Sequence, residues 1–203
     1  ASDVYKRQPD SPQASRWKSL REGIERNVRA HLWDVKRQKF IPHIYPEKSP
    51  IPEGFDELAI HYHGGTAIAI EAGLLSEDEI RTVNAQMLEN VRLSGMPSIG
   101  LTLYPVYPDG FFHGGMSKAY LYQNGGDWTW FGGRMIQQLV VNGMVEEAYT
   151  EIHPMIERVI QNNGFYEWYG KGGIPSGSGN FKGSAGVLSV SYTHLTLPTN
   201  REV

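Results

Sequence analysis

Residues 64–80 read GGTAIAIEAGLLSEDEI, and residues 125–147 read GGDWTWFGGRMIQQLVVNGMVEE. Each stretch opens on two glycines, continues as a short apolar helix, turns at a single glycine and enters an acidic amphipathic segment. A third small-residue pair, Gly183 and Ser184, follows after about 60 residues, the interval that also separates the first two pairs. A period of this length, made of helix pairs, predicts an array of helical hairpins.

Hydrophobic residues recur at helical spacing through most of the chain. We predict six helices, over about residues 15–33, 65–72, 76–95, 127–141, 145–161 and from 184 onwards. Apolar helices would form an inner layer and acidic ones an outer layer, so the outer-to-inner loops would share one rim. The predicted fold is all-α, with helical hairpins forming about half of an (α/α)6 toroid, because a closed ring needs about 360 residues. A complete α-solenoid or a small helical bundle is the alternative.

Composition restricts the possible partners. The chain has 203 residues, a formal net charge of −3, a pI near 6.2 and no cysteine. This charge offers no attraction for nucleic acid or for an anionic membrane surface, and no apolar run is long enough to span a bilayer. We therefore expect no nucleic-acid partner, no membrane partner, no metal and no cofactor. Cytoplasmic and periplasmic locations both fit, and the oligomeric state is left open.

The two ends of the chain differ from its centre. Residues 1–8 (ASDVYKRQ) and 191–203 (SYTHLTLPTNREV) resemble translated sequencing adapters of the kind found in assembled metagenomic contigs. From Ser189 the helical period gives way to an alternation of Thr and Leu that is typical of a β-strand. We expect both ends to be non-native tails and residues 9–190 to be a partial toroid domain. That partial domain should be inactive and marginally stable by itself, because repeat units depend on their neighbours.

Residues 122–130, YQNGGDWTW, form the most distinctive loop. Paired glycines let a backbone approach another group closely, and the helix that follows directs free N–H groups toward it. Asn124 carries a donor and an acceptor, which suits a pair of sugar hydroxyls. Asp127 stands at the predicted helix start, where a capping role competes with a ligand contact. We predict that Asn124, Asp127, Trp128 and Trp130 contact a ligand.

Aromatic residues are concentrated in glycine-rich loops. Phe112 lies in DGFFHGG at 109–115, and Tyr166 and Trp168 lie in FYEWYG at 165–170. Aromatics in such loops either line a pocket or close the end of a helical core. We include Phe112, Tyr166 and Trp168 among the predicted ligand contacts.

His63 directly precedes the first pair of glycines, so we place it at the same rim as a further predicted ligand contact. Its spacing from His61 is poor for a metal site, and no Cys or Asp lies nearby. A histidine held by hydrogen bonds at a loop–helix junction is the favoured interpretation.

The order of these motifs resembles that of the six-hairpin glycosidases. Residues 122–128 are similar to the YxNGGxW and QNGxxWPW segments of neutral and alkaline invertases and of glycogen-debranching amylo-α-1,6-glucosidases. Downstream, those invertases have a PEYYDG loop, then a glycine-containing stretch and an inner helix, and here FYEWYG precedes FKGSAG at 181–186. The resemblance covers residues 55–188. It implies a toroid fold, a carbohydrate as the ligand of the predicted contact residues, and inverting hydrolysis of an α-glucosidic or fructosyl linkage.

By this resemblance Glu167 occupies the place of the invertases' catalytic carboxylate. A carboxylate flanked by Tyr166 and Trp168, in a loop between helices, also has a pKa that desolvation can tune. We predict that Glu167 acts as the general base toward water. Glycosidases need a second carboxylate, and the resemblance places that acid upstream of these residues. Asp109 and Asp127 are weaker candidates for it.

Departures from the family pattern concern the substrate rather than the fold. Tyr166 stands where the invertases have proline, and Thr129 stands where the debranching motif has proline. One alternative to a hydrolase is a polysaccharide lyase on the same fold, which needs basic groups that these motifs lack. Another is a non-catalytic helical scaffold or carbohydrate-binding protein, whose function would not depend on Glu167. A glycoside phosphorylase would need a phosphate site, and the motifs contain none that is convincing.

Overall fold

The structure is a computed structural model that describes residues 12–196. Within these residues the protein is mostly α-helical. The six α-helices are α1 (Pro12–Leu32), α2 (His63–Glu71), α3 (Glu77–Ser94), α4 (Thr129–Val141), α5 (Val145–Gln161) and α6 (Lys182–Thr196).

Three short antiparallel sheets accompany the helices, so the expected all-α class holds only as the dominant class. They pair β1 (Trp33–Asp34) with β2 (Lys39–Phe40), β3 (His61–Tyr62) with β4 (Leu103–Tyr104), and β5 (Trp168–Tyr169) with β6 (Pro175–Ser176). Each strand has two residues, which is too short to leave the alternating pattern from which a strand is predicted.

The helix bounds follow the sequence patterns closely. Helix α5 has the predicted bounds, and the other helices begin within three residues of their predicted starts. The capping box of α3 is confirmed, because the Ser76 Oγ accepts from the Glu79 N–H at 3.3 Å and a Glu79 carboxylate oxygen accepts from the Ser76 N–H at 2.9 Å. Gly95, with a φ of 69°, ends the helix.

Helices α2, α4 and α6 pack side by side, α3 packs on α2, and α5 packs on α4 and α6. Small residues bring the first three together. A Cβ on Gly64 would lie 2.2 Å from the Phe131 ring, and one on Gly133 would lie 2.7 Å from Val187. Residues 72–76 join α2 to α3, and residues 142–144 join α4 to α5, which makes two helical hairpins with short turns.

The segments that precede α2, α4 and α6 meet at one end of the helices. The His63 N–H, at the start of α2, donates to the Thr102 carbonyl at 3.0 Å, and the Thr102 N–H donates to the Gly126 carbonyl at 2.9 Å. Directly before α6, the Phe181 N–H donates to the Phe165 carbonyl at 2.8 Å. We call this group of loops, residues 100–104, 122–128 and 165–181, the rim.

Helix α6 corrects one prediction. Residues 191–196 continue the helix, whereas the Thr/Leu alternation predicted a β-like segment there. Packing against α4 overrides the local pattern, and the hydroxyls are satisfied within the helix, because Thr193 and Thr196 donate to the carbonyls four residues earlier, as Ser191 does to Val187. Ser191 is also buried and contacts the Gly133 carbonyl at 2.8 Å, so it packs on α4. Residues 1–8 and 197–203 lie outside the described residues.

Helix α1 is the least buried of the described helices, and Ala14 is its one buried residue. Its apolar face is exposed, including Trp17, Leu20 and Ile24. Its C-terminal end is anchored by Arg29, which pairs with Glu79 of α3 at 2.7 Å. None of the described helices is both long enough and apolar enough to cross a membrane.

Candidate functional site

The two motif loops that the sequence singled out are joined by their backbones. The Asp127 N–H donates to the Tyr169 carbonyl at 2.9 Å, and the Tyr169 N–H donates to the Asp127 carbonyl at 2.8 Å. These are the two bonds of an antiparallel bridge. Glu167 precedes Tyr169 by two residues, so the bridge fixes its backbone close to the YQNGGDW loop.

Glu167 is half-buried and sits opposite Ser178 in the continuation of the β5–β6 hairpin. Its N–H donates to the Ser178 carbonyl at 2.9 Å, and the Ser178 N–H donates to its Oε2 at 3.3 Å. A Cβ on Gly177 would lie 2.5 Å from Oε2, and Gly177 has a φ of +71°, so this turn requires glycine. Oε1 has no hydrogen-bond partner in the described part of the chain, which leaves it free for a ligand or water.

Aromatic side chains of the two loops pack on one another. The ring centroid of Tyr122 lies 5.0 Å from that of Trp128 and 6.2 Å from that of Trp168. Phe181 lies 6.1 Å from Trp128. The Trp128 indole N–H donates to the Tyr122 carbonyl at 3.1 Å. We call Tyr122, Trp128, Trp168 and Phe181 the rim aromatic cluster; Tyr122 and Phe181 are additions to the predicted site.

The paired glycines serve the protein's own packing. A Cβ on Gly126 would lie 2.2 Å from the Tyr122 carbonyl oxygen and 3.1 Å from the Trp168 ring. The close backbone approach that the sequence predicted is therefore made by the loop itself and by the rim aromatic cluster.

Asp127 is fully buried, and its carboxylate faces inward. Its Oδ1 lies 2.8 Å from the Arg158 guanidinium, and the Ser98 hydroxyl contacts Oδ1 at 2.9 Å and Oδ2 at 2.7 Å. Burial raises the pKa of this carboxyl, and Arg158 and Ser98 oppose the rise by favouring the ionised form. In this conformation Asp127 stabilises the protein and does not reach a ligand.

Arg158 was not among the predicted residues, although it links the two motif loops to α5. It donates to the Thr129 hydroxyl at 2.7 Å, and its guanidinium lies over the Tyr169 ring at 4.1 Å. It is only 4% exposed. The sequence did contain an indication of this role. Arg158 lies on the apolar face of α5, in line with Ile152 and Met155, and an arginine buried there needs an acidic partner.

Asn124 is also buried, and its side-chain amide forms hydrogen bonds within the protein. Its Oδ1 accepts from the Tyr107 N–H at 2.9 Å, and its amide donates to the Tyr107 carbonyl at 3.1 Å and to the Lys118 carbonyl at 3.4 Å. The donor and acceptor that suit a sugar are used to pin two loops together. In this conformation Asn124 stabilises the loops of the rim and does not contact a ligand.

The remaining predicted contacts lie in three different settings. Tyr166 packs on Gly179 at the rim, 3.4 Å from the ideal Cβ position of that glycine. The Arg134 guanidinium lies over the Trp130 ring, 4.4 Å from the ring centroid. Phe112 belongs to a second core cluster, with its ring 4.9 Å from that of Tyr107. Of the three, only Tyr166 lies on the same loop as Glu167.

His63 is buried at the start of α2. The Asn90 amide donates to its Nε2 at 3.1 Å, and its Nδ1 contacts the Ile99 carbonyl at 3.4 Å. Burial lowers its pKa to about 4, so the ring is neutral near neutral pH. The favoured interpretation of a hydrogen-bonded histidine is what the structure shows, and the ring does not reach the rim surface.

Among the described residues no group of three or more His, Cys, Asp or Glu side chains could hold a metal ion. An open groove runs along α3 and is lined by Arg81, Thr82, Ala85, Gln86, Glu89 and Asn90, the last of which also contacts His63. No protein-family model matches the chain, and no curated protein is significantly similar to it.

Proposed function

We propose that the chain is part of an inverting glycoside hydrolase of the (α/α)6-toroid type, in which Glu167 is the general base. The observation that carries the proposal is the bridge between Asp127 and Tyr169, because it joins the two loops whose sequences resemble those of the six-hairpin glycosidases. The helical hairpins with a common rim support the toroid, since such repeats place ligand loops on one face.

Glu167 has the contacts that a base for water needs. One carboxylate oxygen is held by the Ser178 N–H, and the other is free to accept a proton from water. Trp168 and Tyr166 flank Glu167 in the sequence and are the aromatic residues that would offer apolar faces to a sugar ring. The general acid comes from upstream hairpins, at the separation of about 6.5–9.5 Å that leaves room for water in an inverting enzyme.

Asn124 and Asp127 support the rim from within, and the surface that meets the sugar is formed by Glu167, Tyr166 and Trp168. Arg158 is committed to Asp127, so it is not free to neutralise the uronate carboxylate that a polysaccharide lyase must bind.

The test is the Glu167→Gln variant of the parent protein that includes the upstream hairpins, assayed on sucrose, raffinose, maltotriose and isomaltotriose. Glutamine keeps the shape and removes the base, so we expect turnover to fall about 10²- to 10⁴-fold. The melting temperature should stay unchanged, because the side chain is only half-buried. The matched control is Glu157→Gln, on the exposed face of α5, which should retain full turnover. Full turnover in Glu167→Gln contradicts the proposal.

A non-catalytic carbohydrate-binding protein is the second candidate, favoured by the inward use of Asn124 and Asp127. This function relies on Trp168 and Tyr166 and not on Glu167. Titration of the chain with the same sugars, followed by tryptophan fluorescence, separates the candidates. A binding protein loses affinity in Trp168→Ala and shows no turnover in the parent, whereas a hydrolase loses turnover in Glu167→Gln and keeps its affinity.

A further inference from the structure

A second polar cluster lies outside the candidate site, where residues 41–57 cover the β3–β4 pair. Its centre is Glu57, which is 9% exposed. Glu57 Oε1 accepts from the hydroxyls of Tyr107 at 2.7 Å and Tyr45 at 2.8 Å, and it lies 2.7 Å from His43 Nδ1. The Tyr62 hydroxyl donates to that of Tyr107 at 3.3 Å. A buried carboxylate thus holds an exposed imidazole and a group of phenols.

Counting protons in this cluster fixes the histidine tautomer. Each phenol has one proton, and Tyr45 and Tyr107 both give theirs to Glu57. Their oxygens, which lie 3.2 and 3.4 Å from His43 Nδ1, can therefore only accept there. Since the Glu57 carboxylate also only accepts, Nδ1 must carry the proton of the neutral ring. The lone pair is consequently on Nε2.

The ionisation states are consistent with that count. Burial alone would raise the pKa of Glu57, but the hydrogen bonds from Tyr107, His43 and Tyr45 outweigh it and lower that pKa below its usual range. Burial raises the pKa of Tyr45 to about 12 and raises the pKa of Tyr107 further. At neutral pH Glu57 is therefore ionised and both phenols keep their protons.

Nε2 points away from this network. The His43 side chain is 44% exposed, and Nε2 has no hydrogen-bond partner among the described residues. Tyr45 and Tyr62 flank the ring, with centroids 5.6 and 6.1 Å from it. The accessible groups are thus an imidazole lone pair and phenol oxygens, which are acceptors, beside aromatic surfaces. The negative charge of Glu57 disfavours an anionic ligand.

We propose that His43, oriented by Glu57, forms a saccharide-binding subsite in which Nε2 and the Tyr45 oxygen accept hydrogen bonds from neighbouring hydroxyls of a neutral sugar. Sugar hydroxyls supply the donors that the cluster lacks, and a sugar ring packs well on aromatic faces. A carboxylate that fixes the tautomer and the orientation of an imidazole keeps its second nitrogen ready to accept. The subsite does not depend on Glu167.

The first measurement uses the unmodified chain. A long-range ¹H–¹⁵N correlation spectrum at a pH where the ring is neutral reports which imidazole nitrogen carries the proton. We expect the Nδ1–H tautomer for His43. The Nε2–H tautomer would overturn the proposal, because Nε2 would then be a donor.

The second measurement is the rate of His43 carbethoxylation by diethyl pyrocarbonate, followed by peptide mass spectrometry. Maltotriose or sucrose should slow the reaction at His43 several-fold. His153 is the internal control, since its ring is exposed and its Nδ1 contacts the Tyr149 carbonyl rather than a carboxylate. Its rate should not change with sugar. Unchanged rates at both histidines would overturn the saccharide ligand.

Variants connect the two results. Glu57→Gln removes the carboxylate that orients the ring, so sugar protection at His43 should be lost. Tyr45→Phe keeps the Glu57–His43 contact and removes one acceptor, so protection should weaken and the tautomer should stay. If Glu57→Gln does not fold, the unmodified chain and Tyr45→Phe still decide. Protection that persists fully in Tyr45→Phe would contradict its part in the subsite. The Glu167→Gln variant should keep full protection at His43, whatever its turnover.

Discussion

At the scale of single residues, the charged groups that matter most are buried ones. Asp127, Glu151 and Arg158 are each at most 5% exposed. A buried charge is tolerated only with a partner, so each of these groups has a function in the fold that its sequence position did not reveal. Asp127 shows the limit of sequence reasoning best. The sequence indicated either helix capping or ligand binding for Asp127, whereas its carboxylate faces an arginine from another helix.

The ion pair of Asp127 and Arg158 leads to a stability prediction. Arg158→Met removes the partner and leaves the carboxylate buried without compensation, which should lower the free energy of unfolding by about 3–5 kcal/mol. The double variant Asp127→Asn/Arg158→Met should recover part of that loss, because no charge remains unpaired. Urea denaturation measures both. The control Arg81→Met breaks an exposed pair with Glu147 at 3.7 Å and should cost at most about 1 kcal/mol. Equal losses in Arg158→Met and Arg81→Met would contradict this prediction.

Glu151 makes the stability dependent on pH. Its Oε1 accepts from the Asn84 amide at 2.7 Å, and its Oε2 and the Asn84 Oδ1 are buried without partners. Burial raises the pKa of Glu151 to about 7 from the usual 4.5, so the folded state favours the protonated form. The resulting stabilisation is complete below about pH 4.5 and is lost as the pH rises through 7, a change of about 3 kcal/mol. Glu151→Gln should flatten this part of the pH profile of stability. A pH profile of stability that stays equally steep in Glu151→Gln would contradict the raised pKa of Glu151.

At the scale of elements, the helices could be predicted from the sequence, whereas the long-range contacts between segments could not. Hydrophobic spacing predicted α3 and α5, and the capping box of Ser76 and Glu79 predicted the start of α3, because these signals are local. The two-residue strands were missed, since strand pairing depends on segments far apart in the chain. The bridge from Asp127 to Tyr169 is such a long-range contact, and no local pattern indicates it.

The glycine pair at the start of α2 gives a matched test of the inner layer. Gly64→Ala places a Cβ 2.2 Å from the Phe131 ring, and the overpacking should cost about 1–3 kcal/mol. Gly65→Ala meets nothing closer than 3.9 Å and should be neutral or stabilising, because alanine is the better helix former. Thermal melts of the two variants measure the difference. Equal melting temperatures would show that α2 and α4 do not pack as closely as described.

At the scale of the whole molecule, the exposed face of α1 is the clearest departure from an isolated soluble domain. Its apolar spacing correctly predicted a helix and also implied a buried face, yet Trp17, Leu20 and Ile24 are exposed in the described residues. An amphipathic helix without a packing partner is weakly stabilised, because most helical stability comes from tertiary contacts. The hairpin period could be recognised in the sequence because it repeats. The exposure of the apolar face of α1 could not be predicted from its spacing alone.

That exposed face predicts the behaviour of the chain in solution. Leu20→Lys and Ile24→Lys together should reduce self-association in size-exclusion chromatography with light scattering, and leave the melting temperature of the remaining helices unchanged. Amide hydrogen exchange in α1 should be faster than in α4, whose residues are largely buried. Exchange in α1 as slow as in α4 would show that the helix has a packing partner.

The central claim is that Glu167 is the base of a glycosidase, and chemical rescue in the parent protein tests it most directly. Glu167→Ala removes the base and opens space beside Trp168, so turnover should collapse and added azide should restore it by attacking the anomeric carbon in place of water. The product should be a glycosyl azide of inverted configuration, identified by NMR. Full turnover of Glu167→Ala without azide, or a loss of turnover that azide does not restore, would contradict the assignment.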